Sequence, residues 1–180
     1  QLIKYAGEDG VAAYGVLMYV NMVFLAAFIG YSNGTAPIVS YHYGAGNHSE
    51  LKGLLRKSLM IIGLFSVCMF GLSEILAKPL SILFVGYNSE LLKITLRGFL
   101  IFSFKFLFAG FGIYGSAFFT ALNNGLISAA IAFLRTLVFQ LGAILLLPII
   151  WGVDGIWISI VVAEIMSSFV STLFIAKKRK

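Results

Sequence analysis

The sequence predicts an all-α integral membrane protein, a bundle of five transmembrane helices. The chain has 180 residues, of which 60% are hydrophobic and only 11% are charged, and its mean hydropathy is +0.98. Soluble domains are about half apolar and a quarter charged, so this composition is typical of a protein of the lipid bilayer. The 17 Phe and 8 Tyr residues add to this prediction, because aromatic side chains suit lipid contact and headgroup belts.

Five apolar segments have the roughly 20 residues that a helix needs to cross the hydrocarbon core of a bilayer. We expect them at about residues 11–40, 54–76, 92–119, 126–150 and 155–176. The connections between them are short, and no linker separates two soluble domains. The sequence therefore predicts one transmembrane unit over residues 1–180.

Basic residues predict the orientation of these spans. One group lies between the first two spans, and a second follows the fifth: Lys52, Arg56, Lys57, Lys177, Lys178, Arg179 and Lys180. With five spans both groups lie on one side, and the positive-inside rule predicts that this side is the cytoplasm. We therefore expect a multi-pass protein of a prokaryotic plasma membrane with a cytoplasmic C-terminus. The N-terminus is then outside, which favours a fragment with spans missing before Gln1.

The net charge of +6 does not predict a nucleic-acid partner, because the basic residues lie in short runs between apolar segments. Three ionisable residues lie deep within the spans: Lys105, Arg135 and Glu164. Charges at this depth are costly and normally face a bundle interior or water. For Lys105 the sequence leaves three roles open: binding an anion, pairing with a distant carboxylate, or remaining uncharged.

Arg135 and Glu164 lie on either side of the turn near residues 151–155. At about 1.5 Å per residue, Arg135 lies about 22 Å and Glu164 about 14 Å from that turn. A long Arg side chain could cover that gap and form an ion pair, but the match in depth is poor. Two further roles are open for Arg135: snorkelling or backbone capping between helices, or lining a cavity.

Polar and soft apolar residues share a face of the first span. Tyr14, Met18, Asn21 and Met22 are spaced three and four apart, and Asn33 follows further along the same span. Aromatic and thioether groups adapt to flat apolar cations, so this face favours a substrate cavity. The alternative is helix packing by polar side chains.

The stretch "GYSNGTAPIVSYHYGAGN" predicts a hinge followed by a sharp turn. Gly34 and Pro37 loosen the helical hydrogen-bond ladder, whereas Gly44 and Gly46 permit the turn and Asn47 can cap the next helix. The run "GFGIYG" satisfies a nucleotide-binding pattern formally, but it lies in a span and is better explained by helix packing, as are Gly30 and Gly34.

No metal-ligand spacing and no nucleophile–base set occurs in the sequence. We therefore expect no enzyme, no cofactor and no metal site.

The stretch "GYSNGTAPIVSYHYGAGN", followed by "LKGLLRKS", resembles the end of the second helix of a lobe in multidrug and toxic compound extrusion (MATE) transporters. Arg135, the Leu147–Pro148 pair and "GVDGIW" at residues 152–157 resemble the last two helices of that family. The resemblance implies a twelve-helix exporter of two lobes, which expels organic cations and drugs in exchange for protons or sodium ions. This chain would be the C-terminal lobe without its first helix, and its partner would be the N-terminal lobe.

The coupling ion stays open at this point. Some sodium-coupled relatives carry acids in the first and fourth helices of this lobe, but the span at 92–119 has Lys105 and no acid. Other relatives couple through an acid in the N-terminal lobe. We expect the coupling site to lie outside this chain.

Two alternatives to an exporter of cations stay open. One is a flippase for lipid-linked saccharides of the same superfamily, which would favour a more cationic cavity. The other is a membrane scaffold without transport activity.

Overall fold

The structure, a computed structural model, describes residues 1–179, with side chains as far as Lys177. The side chains of Lys178 and Arg179, and all of Lys180, lie outside this part, so the predicted C-terminal basic group is described only at Lys177. The elements are α1 (Leu2–Gly44), α2 (His48–Val85), α3 (Ser89–Ser103), α4 (Phe106–Ala121), α5 (Gly125–Phe133), a π-helical segment (Leu134–Gln140) and α6 (Leu141–Arg179). The described residues contain no strand, and the predicted all-α fold is confirmed.

Three continuous helical stretches are long and apolar enough to cross a membrane: 2–44, 48–85 and 125–177. The pair α3 and α4 forms a fourth if it counts as one span bent by 52°. The longest stretch folds back at Gly152, whose φ of 56° and ψ of −129° are not helical. This fold divides it into a first arm before Gly152 and a second arm after it.

The predicted turn after α1 forms at Gly46, which adopts a φ of +70° that glycine tolerates at little cost. Asn47 occupies the N-cap position of α2, but its side chain forms no capping hydrogen bond. Helix α1 continues unbroken through Gly34 and Pro37 as far as Gly44, and its non-helical residue is instead Gly7. The structure thus shows the turn and no break at the predicted hinge.

The glycines of "GFGIYG" pack against neighbouring helices, as predicted. A Cβ at Gly110 would lie 2.6 Å from the ring of Phe28, and one at Gly112 would lie 2.8 Å from Ser167 Oγ. The prediction for Gly30 and Gly34 is wrong within the described residues, because a Cβ there would meet no atom within 4 Å. Both glycines lie on an exposed side of α1.

The "GVDGIW" motif forms the tight hairpin between the two arms. A Cβ at Gly155 would lie 2.8 Å from Pro148 Cα, so only glycine lets the chain return along the first arm. Asp154 accepts hydrogen bonds from Arg97 of α3, and Trp157 packs against Gly98. The second arm is thereby fixed against α3, and residues far apart in sequence face each other across the bundle.

Candidate functional site

A polar cavity of about 210 Å³ lies inside the bundle. It is bounded by α1, the bend between α3 and α4, the π-helical segment and the second arm of α6. We call it the charged cavity, and its lining residues are Tyr14, Met18, Asn21, Leu25, Lys105, Arg135, Thr136, Gln140, Ile160 and Glu164. The three deep charges predicted from sequence therefore share one site.

Arg135 and Glu164 form a bidentate ion pair. Arg135 Nη2 donates to Glu164 Oε1 at 2.7 Å, and Arg135 Nε donates to Oε2 at 3.0 Å. The side chain of Glu164 is 8% exposed and that of Arg135 is 24% exposed. Two parallel charge-assisted hydrogen bonds of this kind fix both side chains.

The pairing that the sequence left as a poor match is present in the structure. The comparison of depths assumed an ideal α-helical rise of about 1.5 Å per residue throughout the first arm. Residues 134–140 instead form a π-helix, whose bonds reach one residue further along the chain and so shorten the rise per residue. The long guanidinium side chain covers the remaining offset.

Lys105 lies at the break between α3 and α4, and only 4% of the residue is exposed. Its ammonium sits over the ring of Phe102 at 4.5 Å from the centroid and 5.9 Å from that of Phe106. Among the described residues it forms no hydrogen bond and no ion pair. Aromatic faces stabilise this cation only in part.

Helix α1 supplies the uncharged polar wall. The ring of Tyr14 stacks on Trp157 with centroids 6.4 Å apart, and this contact holds it at the cavity. Asn21 is 8% exposed, and its Oδ1 atom has no hydrogen-bond partner among the described residues. A buried unpaired amide is costly, so this group is available to a ligand.

Met22 and Asn33 do not line the charged cavity. Met22 is 70% exposed, and Asn33 lies on the exposed side of α1. Successive residues of an α-helix differ by about 100° in direction, so Met22 points away from the face of Asn21 although it lies four residues from Met18.

Thr136 and Gln140 line the cavity beside Arg135 and were not predicted. In an α-helix Arg135 and Gln140 would not share a face. In a π-helix the hydrogen bonds join residues five apart, so the side chains of Arg135 and Gln140 lie on nearly the same side of the helix. No signal in the residue types of "LRTLVFQ" indicated this segment.

A second cavity of about 350 Å³ shares Leu25, Arg135 and Thr136 with the first. Its wall includes the hydroxyl groups of Ser116 and Thr120 on α4. Ser116 Oγ lies 3.0 Å and Thr120 Oγ1 lies 2.7 Å from Ser128 Oγ on α5. The polar groups of this second cavity therefore come from α4 and the π-helical segment.

A family model described as MatE matches residues 2–146 of the chain. The chain belongs to the MatE family. A probable multidrug resistance protein NorM of Synechocystis sp. is 32% identical over 66 residues, which is 37% of this chain and 14% of that protein.

Solved structures of MATE transporters share the fold. An outward-facing multidrug resistance MATE transporter of the MOP superfamily superposes with a TM-score of 0.92 at 22% identity and matches 99% of this chain. An inward-facing structure has a TM-score of 0.91 at 21% identity over 99% of the chain. The bent form of the Vibrio cholerae MATE transporter VcmN has a TM-score of 0.90 at 20% identity over 98%.

The chain spans only part of these relatives. It corresponds to 40% of the outward-facing structure, 41% of the inward-facing structure and 40% of VcmN. What the relatives share with this chain is thus a helical unit of a larger membrane transporter.

Proposed function

We propose that this chain forms the C-terminal lobe of an exporter that moves organic molecules out of the cell in exchange for protons or sodium ions. The observation that carries this proposal is the charged cavity. Charges this deep in a membrane helix are costly, so they are expected to serve a function. A purely structural ion pair would lie in a filled core, whereas this pair lies beside open volume. In a protein of the MatE family, such a cavity is well suited to substrate contact.

Organic cations and drugs are the substrate class we propose. Tyr14 and Met18 offer a ring and a thioether, both of which accommodate flat apolar cations of varied shape. Glu164 is unsuited to attract such a cation, because Arg135 already binds both of its oxygens. This lobe would then contribute shape and dispersion contacts.

The transport cycle we propose is a rocking of two lobes. This chain resembles an inward-facing and an outward-facing structure almost equally, which supports a lobe that moves as one body. The cytoplasmic side would be the one that carries Lys52, Arg56 and Lys57. The coupling-ion site would lie in the other lobe, and the proposed function requires no enzymatic step.

The test is ethidium efflux from energised cells that express the full-length parent. Ionophores would collapse the proton gradient and the sodium gradient in separate experiments. We expect efflux to stop with one of them, which identifies the coupling ion. Ethidium retention under every gradient, with the protein present in the membrane, would contradict the proposal and favour a scaffold or a flippase.

A further inference from the structure

The charged cavity is not electrically balanced. It contains two cationic groups, Lys105 and Arg135, and one anionic group, Glu164. Arg135 and Glu164 neutralise each other through two hydrogen bonds. Lys105 is left as a buried cation without an anionic partner among the described residues, and buried cations normally have one.

The surroundings of Lys105 compensate this charge incompletely. Phe102 and Phe106 offer ring faces, which attract a cation but supply no acceptor for its three N–H donors. Lys105 lines the cavity together with Tyr14, Asn21 and Gln140. An acceptor that carries negative charge would complete the site.

The unused N–H donors of Arg135 favour the same kind of ligand, one that carries negative charge. Its two bonds to Glu164 use Nε and Nη2, so Nη1 keeps its N–H groups without a partner in the described chain. A guanidinium and an ammonium on one cavity together suit a carboxylate, a sulfonate or a phosphate.

The size of the cavity limits what enters it. A volume of about 210 Å³ exceeds the share of one liquid water, about 30 Å³, roughly sevenfold. This is room for an acid group and the atoms next to it, so the rest of a larger molecule would extend beyond this lobe.

We propose that Lys105 binds an acid group on the substrate, so that among aromatic organic cations the exporter favours zwitterions that also carry a carboxylate, a sulfonate or a phosphate. This inference rests on the proposed function and assigns its substrate class more narrowly. The unpaired buried ammonium beside the Arg135–Glu164 pair is the feature that carries it.

Two dyes that differ in one group provide the test. Rhodamine 110 has a free carboxylate, and rhodamine 123 is its methyl ester, with the same rings and cationic group. Fluorescence anisotropy would measure their binding to the purified full-length protein in detergent. We expect rhodamine 110 to bind roughly tenfold or more tightly than rhodamine 123, which is the range for a hydrogen bond to a charged group.

Variants of Lys105 make the assignment specific. Lys105→Met should remove the preference for rhodamine 110 and bind rhodamine 123 at least as tightly as the parent does, because a buried positive charge is removed. Lys105→Arg should keep the preference. Lys93→Met is the matched control, because Lys93 lies on α3 of the same bent span but is exposed. Size-exclusion profiles would establish folding, and Lys105→Gln would replace Lys105→Met if that variant aggregates.

The opposite results are equally clear. Equal affinity for both dyes in the parent, binding of neither dye, or a preference that survives Lys105→Met would overturn the acid site. A lipid headgroup is a second source of the same chemistry. Phosphatidylglycerol that displaces rhodamine 110 from the parent would assign the acid site to a lipid substrate.

The proposed export is tested separately by gradient-dependent efflux of both dyes. Absence of efflux together with a Lys105-dependent binding preference would refute the exporter and keep the acid site. Efflux of both dyes without such a preference would refute the acid site and keep the exporter.

Discussion

Two arginine–carboxylate pairs join the second arm to the rest of the bundle, and their surroundings differ sharply. Arg97 and Asp154 lie beside the hairpin, with side chains 70% and 27% exposed, whereas Arg135 and Glu164 are 24% and 8% exposed. Both arginines bind two carboxylate oxygens. The same chemistry is therefore placed once near the surface and once in the buried part of the bundle.

The difference shows that hydrogen-bond geometry alone does not determine how much an ion pair contributes to stability. An exposed pair is screened by water and contributes about 0–1 kcal/mol. A buried pair has lost its hydration, so removal of one partner leaves a charge that costs about 3–5 kcal/mol. Both pairs line open volume, because Arg97 and Asp154 border a cavity of about 290 Å³ beside the hairpin, so the two pairs differ in burial and not in access to a cavity.

The largest effect is expected from Glu164→Ala, which leaves Arg135 without its carboxylate beside Lys105. We expect the free energy of unfolding to fall by about 3–5 kcal/mol and efflux to be lost. Thermal melting of the full-length protein by fluorescence-detected size exclusion measures the first effect. A melting temperature equal to that of the parent would show that water or another group already solvates Arg135.

Replacement of both partners separates stability from transport. Arg135→Met with Glu164→Leu removes both charges of the pair, so neither partner is left unpaired, and such exchanges are often neutral or stabilising by about 1–4 kcal/mol. We expect stability near that of the parent but no efflux. Normal efflux from the double variant would show that the inner pair has a structural role only.

An intermediate loss of stability is expected from Gly98→Ala. The added Cβ would lie 2.8 Å from Trp157 Cε2, and Trp157 in turn stacks on Tyr14 at the charged cavity. Overpacking of this kind costs about 1–3 kcal/mol. The control is Gly71→Ala on α2, where a Cβ meets nothing within 4 Å. Equal melting temperatures for the two variants would contradict the close contact.

The smallest effect is expected from Arg97→Ala, which breaks the outer pair. We expect a loss of less than about 1 kcal/mol, and less still at high salt, because exposed charges are screened. Melting at low and high ionic strength tests this. A loss as large as that of Glu164→Ala would abolish the distinction between the two pairs.

The sequence predicted which residues carry the site better than how they meet. Lys105, Arg135 and Glu164 could be identified because a charge within an apolar span is costly whatever the tertiary structure. Tyr14, Met18 and Asn21 followed from α-helical periodicity, which holds in this part of α1. The all-α bundle followed from composition and segment length.

The errors have local causes. The pairing of Arg135 with Glu164 was left as a poor match because the first arm is not α-helical throughout, and Thr136 and Gln140 were missed for the same reason. Met22 was included because spacing along the chain was considered without its direction around the helix. The exposure of Gly30 and Gly34 depends on the tertiary arrangement, which residue types do not specify.

The π-helical segment has a consequence for comparing this chain with its relatives. A turn that bonds to the fifth residue holds one residue more than an α-helical turn. A relative with an ordinary α-helix here would have a one-residue deletion in the middle of a membrane span. An alignment without that gap would match Arg135 to the wrong residue and rotate α5 by about 100° relative to the hairpin. We therefore expect single-residue length differences at residues 134–140 to separate subgroups whose cavities have different walls.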